Sequence, residues 1–120
     1  MARVMIAEDS DAIRMMLKDI VVTSGHNLIA EAKDGIEAIE KIKSTKPEIL
    51  LLDYNMPKKH GLDVLKEMEK TDTTKVIMIT VTDEQDLIQK CMMLGATAYL
   101  VKPFDSDTVI KAISYAVENN

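Results

Sequence analysis

Five polar residues could do chemistry in this 120-residue sequence: three carboxylates, a hydroxyl and an ammonium. Each follows a short apolar run; Glu8 and Asp9 come after the first, and Asp53, Thr80 and Lys102 come after later ones. Three clustered carboxylates would repel one another without a cation, and hard oxygen ligands of this kind suit Mg²⁺. One carboxylate could then attack a phosphoryl group. Thr80 and Lys102 could donate to the oxygens of that group.

Strand-like and helix-like segments alternate five times along the chain and predict how these residues are positioned. Apolar runs predict strands over residues 4–7, 28–32, 49–52, 76–79 and 98–101. Apolar residues at helical spacing predict helices over residues 11–24, 36–43, 62–70, 83–94 and 106–118. This alternation predicts an α/β domain with a parallel, doubly wound sheet. The second strand contains polar residues, which makes it a candidate edge strand.

The carboxyl ends of the strands are the predicted location of the site. Ligands of doubly wound sheets bind beyond these ends, and polar residues capable of chemistry follow four of the five predicted strands. We therefore expect the carboxylates, the hydroxyl and the ammonium to share one crevice.

The first helix illustrates the predicted packing. Its apolar residues fall on one face at helical spacing and are expected to contact the sheet: Ile13, Met16, Leu17, Ile20 and Val21.

Composition narrows the function classes. Hydrophobic residues make up 47% of the chain, which favours a packed globule over disorder. The net charge is −5 and aromatic residues are only 3%, whereas nucleic-acid readers usually carry basic patches with stacking aromatics. Direct nucleic-acid binding is therefore not expected. No apolar run approaches the roughly 18 residues of a membrane span, and no secretion leader is visible, so we expect a cytoplasmic protein without membrane insertion.

Two other ligand chemistries fit the pattern less well. A flavin or nucleotide would need a phosphate cradle rich in glycine, serine or threonine, but the first turn reads AEDSDAIR, which is acidic and lacks glycine. A phosphatase of the haloacid dehalogenase class would carry an Asp-x-Asp pattern after the first strand. The first strand here ends in Glu8-Asp9-Ser10-Asp11, and Glu8-x-Ser10 does not fit that pattern.

Four motifs resemble the receiver domain of two-component response regulators over essentially the whole chain. They are AEDS after the first strand, LLDYNMP with Gly61 eight residues past Asp53, MIT ending the fourth strand, and GATAYLVKPF around the fifth. The resemblance implies a flavodoxin-like (βα)5 fold with strand order 2-1-3-4-5. We interpret residues 1–120 as one receiver domain.

The resemblance also implies the chemistry of the acidic site. Asp53 would accept a phosphoryl group from a sensor histidine kinase, or from a small donor such as acetyl phosphate. Mg²⁺ would be held by Glu8 or Asp9, by Asp53 and by the backbone carbonyl of Asn55. In the family the residue matching Asp9 is normally the direct ligand, while the one matching Glu8 often acts through water.

The resemblance further implies a conformational switch. Thr80 would move toward the phosphoryl group while Lys102 pairs with it, and Tyr99 would rotate inward as Thr80 moves. This shift would repack the fourth helix, fifth strand and fifth helix, which would bind the target. The Lys102–Pro103 peptide is expected to be cis.

Three interpretations of the biological role remain open. The stand-alone chemotaxis class (CheY-like) fits best, since the chain ends soon after the fifth helix and Thr97-Ala98 replaces the Asp-Asp pair usual in winged-helix regulators. Such a protein would be a monomer, would assist only its own phosphorylation and dephosphorylation, and would bind a target such as a flagellar motor or adaptor protein. The second interpretation is a receiver excised from a multidomain regulator or a phosphorelay intermediate. The third is a Mg²⁺-dependent phosphatase.

One residue departs from the family pattern. Val81 follows Thr80, where the family usually has alanine, glycine or serine. A branched side chain there should narrow access to the phosphoryl group, so we expect slow phosphotransfer, slow dephosphorylation, or both.

Overall fold

The computed structural model describes residues 1–68 and 73–118, which form a parallel sheet of five strands between two layers of helices. The strands are β1 (Arg3–Ala7), β2 (Asn27–Ala32), β3 (Ile49–Asp53), β4 (Lys75–Thr80) and β5 (Ala98–Val101). The helices are α1 (Asp11–Thr23), α2 (Gly35–Thr45), α3 (Gly61–Glu67), α4 (Gln85–Met93) and α5 (Ser106–Glu118). The strand order is β2-β1-β3-β4-β5, which confirms the predicted fold class and the edge position of β2.

The elements occur in the predicted order, and only their ends differ. Asp53 and Thr80 are the last residues of β3 and β4, whereas the sequence placed them just after those strands. Helix α3 ends at Glu67 because Met68 is extended, with ψ of 137°. The last two residues of the predicted helix, Glu69 and Lys70, lie outside the described residues.

The sheet is buried on both faces because successive side chains of a strand point to opposite sides. Met5 and Ala7 of β1 pack in the cluster that includes residues of α2, α3 and α4. Val4 and Ile6 pack on the opposite face with residues of α1 and α5. This two-sided packing fixes the carboxyl ends of the strands relative to one another. Every helix in the described part of the chain is too short or too polar to span a lipid bilayer.

Helix α1 departs from its predicted stripe in two positions. Leu17, Ile20 and Val21 are buried as predicted. Met16, however, is 40% exposed, and Arg14 is buried among the apolar residues. The buried face is therefore rotated toward Arg14, whose charge is neutralised by two carboxylates described below.

Candidate functional site

The carboxyl ends of β1, β3 and β5 bring the predicted carboxylates and the lysine together. Glu8 follows β1 and is fully buried, and Asp53 is only 2% exposed. One carboxylate oxygen each from Glu8, Asp9 and Asp53 lies within 4.8 Å of the others. Lys102 Nζ lies 3.0 Å from Glu8 Oε1 and 3.3 Å from Asp53 Oδ1. The cluster predicted from the strand ends is therefore present in the structure.

A compact turn after β1 positions the acidic pair. The Glu8 backbone N–H donates to the Ala32 carbonyl at 3.0 Å, which ties the turn to β2. The Ser10 N–H donates to Glu8 Oε2 at 3.1 Å. Ser10 Oγ in turn accepts from the Ile13 N–H at 3.3 Å and caps α1. The helix thus begins directly after the acidic pair, and Asp9 is left exposed at the tip of the turn.

The position of Asp53 depends on a close approach between β3 and α3. A Cβ atom on Gly61 would lie 2.2 Å from the carbonyl oxygen of Asp53, so only glycine fits here. The Gly61 N–H donates to the Tyr54 carbonyl at 2.8 Å, and the Tyr54 N–H donates to the Ile79 carbonyl at 2.7 Å. These contacts fix the chain on both sides of Asp53. Asn55, the predicted carbonyl ligand, lies exposed in the bend that follows.

The two predicted switch residues lie on β4 and β5. Thr80 is buried, and its Oγ1 accepts a hydrogen bond from the Thr82 N–H at 3.2 Å. That bond uses a lone pair of the hydroxyl and leaves its proton for another acceptor. The Lys102 N–H donates to the Thr80 carbonyl at 2.7 Å, which joins the ends of the two strands. Tyr99 is opposite Met78 in the sheet register and is 41% exposed.

Burial and like charge dominate the electrostatics of the cluster. Burial, together with the neighbouring Glu8 carboxylate, raises the pKa of Asp53 to about 7, although Lys102 opposes the shift. Burial alone would lower the pKa of Lys102, but hydrogen bonding to Glu8 and the charges of Asp53 and Glu8 outweigh it and raise that pKa. Lys102 therefore stays protonated at neutral pH and is shared by two buried carboxylates.

The donor set fits a Mg²⁺ ion. Asp53 Oδ2 is buried and has no hydrogen-bond partner within the described residues, and leaving such an oxygen unpaired costs free energy. It lies among oxygen donors of Glu8 and Asp9, which are the hard ligands that Mg²⁺ prefers. A divalent cation here would satisfy the unpaired oxygen and reduce the repulsion between the carboxylates.

An apolar groove opens beside Lys102. It has a volume of about 420 Å³. Its lining residues are Ile13, Met16, Val81, Lys102, Pro103 and Phe104. Val81 and Lys102 line the same groove, and Val81 is 63% exposed. Its branched side chain therefore borders the approach to Lys102. The Lys102–Pro103 peptide is cis, as the resemblance implied.

Comparison with known proteins decides the family. The profile of the response regulator receiver domain matches residues 4–114. This chain belongs to the response regulator receiver family. Its relatives include the chemotaxis protein CheY of Thermotoga maritima, which is 38% identical across 93% of this chain and 94% of that protein. The transcriptional regulatory protein PdtaR of Mycobacterium tuberculosis is 37% identical across 96% of this receiver but only 56% of its own length.

A solved structure supports the same assignment. A chain of the CheX–CheY–BeF₃–Mg²⁺ complex of Borrelia burgdorferi superposes with a TM-score of 0.92 and 33% identity, across 97% of this receiver and 89% of that chain. Receivers are signalling domains rather than classical enzymes, and they generally bind Mg²⁺.

Sequence reasoning missed one residue that touches the site of this receiver. Arg14 Nη1 donates to the Glu8 carbonyl at 2.9 Å, directly behind the acidic pair. The spacing of Arg14 was a signal of its burial, because it lies three residues before Leu17 on the buried stripe of α1. A charged residue at such a position indicates a buried ion pair, but the stripe was drawn from apolar residues alone.

Proposed function

We propose that this receiver is a phosphorylation-activated signalling protein whose phosphoacceptor is Asp53. The observation that carries the proposal is the surroundings of Asp53. Its carboxylate is buried beside Glu8, Asp9 and Lys102, and one of its oxygens has no hydrogen-bond partner among the described residues. An aspartate retained only for stability would not be held in such unfavourable surroundings.

The transfer uses residues that already line the site. An ionised Asp53 oxygen forms a bond to phosphorus as the phosphorus–nitrogen bond of a kinase phosphohistidine breaks, and the electron pair leaves with the imidazole. Lys102 pairs with the phosphoryl oxygens, and the Thr80 hydroxyl donates to them. Asp9, Asp53 and the Asn55 carbonyl would hold Mg²⁺ directly, with Glu8 acting through water. The bound ion supplies positive charge that offsets the carboxylates and the phosphoryl oxygens.

Phosphorylation would change the face formed by α4, β5 and α5. A phosphoryl group adds about −1.5 to −2 charges and strong acceptors, and it would draw Thr80 inward and let Tyr99 follow. Met92, Met93 and Tyr99 are exposed apolar residues of this face. A difference of a few kcal/mol between the two states suffices to shift their populations. We assign this face to target binding.

A stand-alone chemotaxis receiver is the role that the relatives favour. The Thermotoga maritima relative that matches over 94% of its own length is a chemotaxis protein. In this role residues 1–120 form one monomeric receiver domain in the cytoplasm. A sensor histidine kinase phosphorylates it, and its target is a flagellar motor or adaptor protein. The PdtaR relative supports a second candidate, a receiver within a longer regulator, since the match spans only 56% of that protein.

Intact-mass spectrometry after incubation with acetyl phosphate tests the proposed acceptor. We expect a single phosphoryl adduct that requires Mg²⁺ and disappears in Asp53→Asn. Asp105→Asn is the matched control, because it also removes a carboxylate from the carboxyl end of the sheet. This variant should retain the adduct. An adduct that persists in Asp53→Asn would contradict the assignment.

Val81 provides a test of access to the site. Because its exposed side chain borders Lys102, Val81→Ala should speed phosphorylation by acetyl phosphate, dephosphorylation, or both. Time courses of the same mass adduct measure both rates. If neither rate changes, Val81 does not restrict access.

A further inference from the structure

Arg14 is the only buried cationic side chain among residues 1–68 and 73–118, at 8% exposure. Its guanidinium contacts the turn after β1, the start of its own helix α1, and β2. Nη1 donates to the Glu8 carbonyl at 2.9 Å, Nη2 pairs with Asp11 at the start of α1, and Nε lies 3.3 Å from Glu31 Oε1 on β2. A planar guanidinium fixed by partners in three directions has little freedom to rotate.

The outer part of this network keeps Glu31 in place. Glu31 is opposite Ile6 in the register of β1 and β2, so its backbone is fixed by the sheet. Lys18 Nζ lies 3.1 Å from Glu31 Oε2, but Lys18 is 40% exposed, so this surface ion pair adds little to what the sheet already fixes. The guanidinium is therefore held by the sheet edge and by α1, while its remaining donor points at the acidic turn.

The Glu8 carbonyl belongs to the peptide that joins Glu8 to Asp9. On one side of that peptide, the Glu8 N–H is held by the Ala32 carbonyl. On the other side, the Ser10 N–H is held by the Glu8 side chain. The bond from Arg14 fixes the carbonyl between them, and with it the direction in which the Asp9 side chain leaves the turn.

We propose that Arg14 is a positioning residue for metal binding: its bond to the Glu8 carbonyl holds the Glu8–Asp9 peptide in the orientation that presents both carboxylates to Mg²⁺. This inference rests on the proposed function of the acidic site. Arg14 touches neither the metal ligand atoms of Asp9 nor those of Asp53, and it acts through the backbone.

The charge of Arg14 and its geometry predict opposite changes in Mg²⁺ affinity when Arg14 is replaced. On charge alone, removing Arg14 takes away a Coulomb repulsion of the cation, so Mg²⁺ binding should become stronger. Removing a group that orients metal ligands weakens binding, typically by about 10- to 100-fold. The direction of the change in affinity therefore distinguishes a positioning role from a purely electrostatic one.

The test is an NMR titration of the 13.4-kDa protein with MgCl₂, following the backbone amides of Asp9 and Ser10. Arg14→Met should raise the Kd for Mg²⁺ by about 10-fold or more. Lys18→Met is the matched control, since it makes the same charge change on the same helix without touching Glu8. It should leave the Kd within about twofold.

A second measurement needs no metal. Without the Arg14 bond the acidic turn should open more often, so the Ser10 amide of metal-free Arg14→Met should exchange with solvent about 10-fold faster, and that of Lys18→Met should not. If Arg14→Met does not fold, Arg14→Lys carries the test. Lysine keeps the charge but not the planar fork, so a weaker Mg²⁺ affinity in that variant supports the positioning role.

The outcomes separate the two proposals. A Kd for Arg14→Met, or for Arg14→Lys in its place, that equals or falls below the wild-type value overturns the positioning role and leaves the proposed function intact. Wild-type protein that binds no Mg²⁺ at the acidic turn overturns the proposed function, and the inference with it.

Discussion

Asp53 and Asp105 both lie at the carboxyl end of the sheet, yet their surroundings shift their pKa values in opposite directions. Asp105 Oδ1 accepts hydrogen bonds from both the N–H and the hydroxyl of Thr108, at 2.8 and 2.7 Å, and these bonds lower its pKa. Burial beside Glu8 raises the pKa of Asp53 to about 7. The Asp105 carboxylate accepts two hydrogen bonds, whereas the Asp53 carboxylate is buried beside a like charge that Lys102 only partly offsets.

This difference separates a structural carboxylate from one reserved for a ligand. Asp105 has its partners in the folded chain, so its ionised form stabilises the fold. Asp53 keeps one oxygen without a partner in the described part of the chain, so its ionised form costs stability. We infer that Mg²⁺ and a phosphoryl group are the partners for which Asp53 is held.

Gly61→Ala should have the largest effect, because it moves the backbone that carries Asp53. The added Cβ would lie 2.2 Å from the Asp53 carbonyl oxygen. We expect a loss of about 3 kcal/mol in the free energy of unfolding, together with weaker Mg²⁺ binding. Urea denaturation and a Mg²⁺ titration measure the two effects.

Gly95→Ala is the control for this change. A Cβ on Gly95 would meet no atom within 4 Å, but the residue has φ of +106°. The substitution should therefore cost backbone strain of about 1 kcal/mol without altering Mg²⁺ affinity. Wild-type Mg²⁺ affinity in folded Gly61→Ala would show that the junction of β3 and α3 does not position the site.

Asp53→Asn should stabilise the metal-free protein at pH 8. The folded-state pKa of Asp53 is raised, so wild-type stability is full below its usual pKa of 3.8 and falls as the pH rises to about 7. The variant avoids this loss. Each pKa unit corresponds to about 1.4 kcal/mol, and allowing for solvent screening we expect a gain of roughly 2 kcal/mol at pH 8 that vanishes near pH 4. Thermal unfolding across this pH range is the measurement, and a variant less stable than wild type at pH 8 contradicts the account.

Asp105→Asn should have a smaller effect of the opposite sign. The folded-state pKa of Asp105 is lowered, so its stabilising contribution is present above 3.8 and is lost as the pH falls through the folded-state value. The variant should be slightly less stable than wild type at pH 8 and equal to it under strongly acidic conditions. A parallel pH series with Asp53→Asn checks that the two curves diverge in opposite directions.

The sequence predicted the order of the elements and the composition of the acidic cluster, because both depend on local patterns. Apolar runs located the strands, and the rule that ligands bind at carboxyl ends located Glu8, Asp53 and Lys102. The burial of Arg14 was missed because its partner Glu31 comes from β2 and is distant in sequence. Met16 was wrongly predicted to be buried because local spacing alone cannot show how far a helix is rotated on its sheet.

The central claim is that Asp53 accepts a phosphoryl group and that the change reaches the face formed by α4, β5 and α5. NMR spectra of the Mg²⁺-loaded protein, with and without the phosphoryl mimic beryllofluoride, test it most directly. We predict shifts in the amides of Asp53, Thr80 and Lys102 that extend to Tyr99 and α4, and no shifts in Asp53→Asn. Wild-type spectra that do not respond to beryllofluoride, or that respond equally in Asp53→Asn, would contradict the claim.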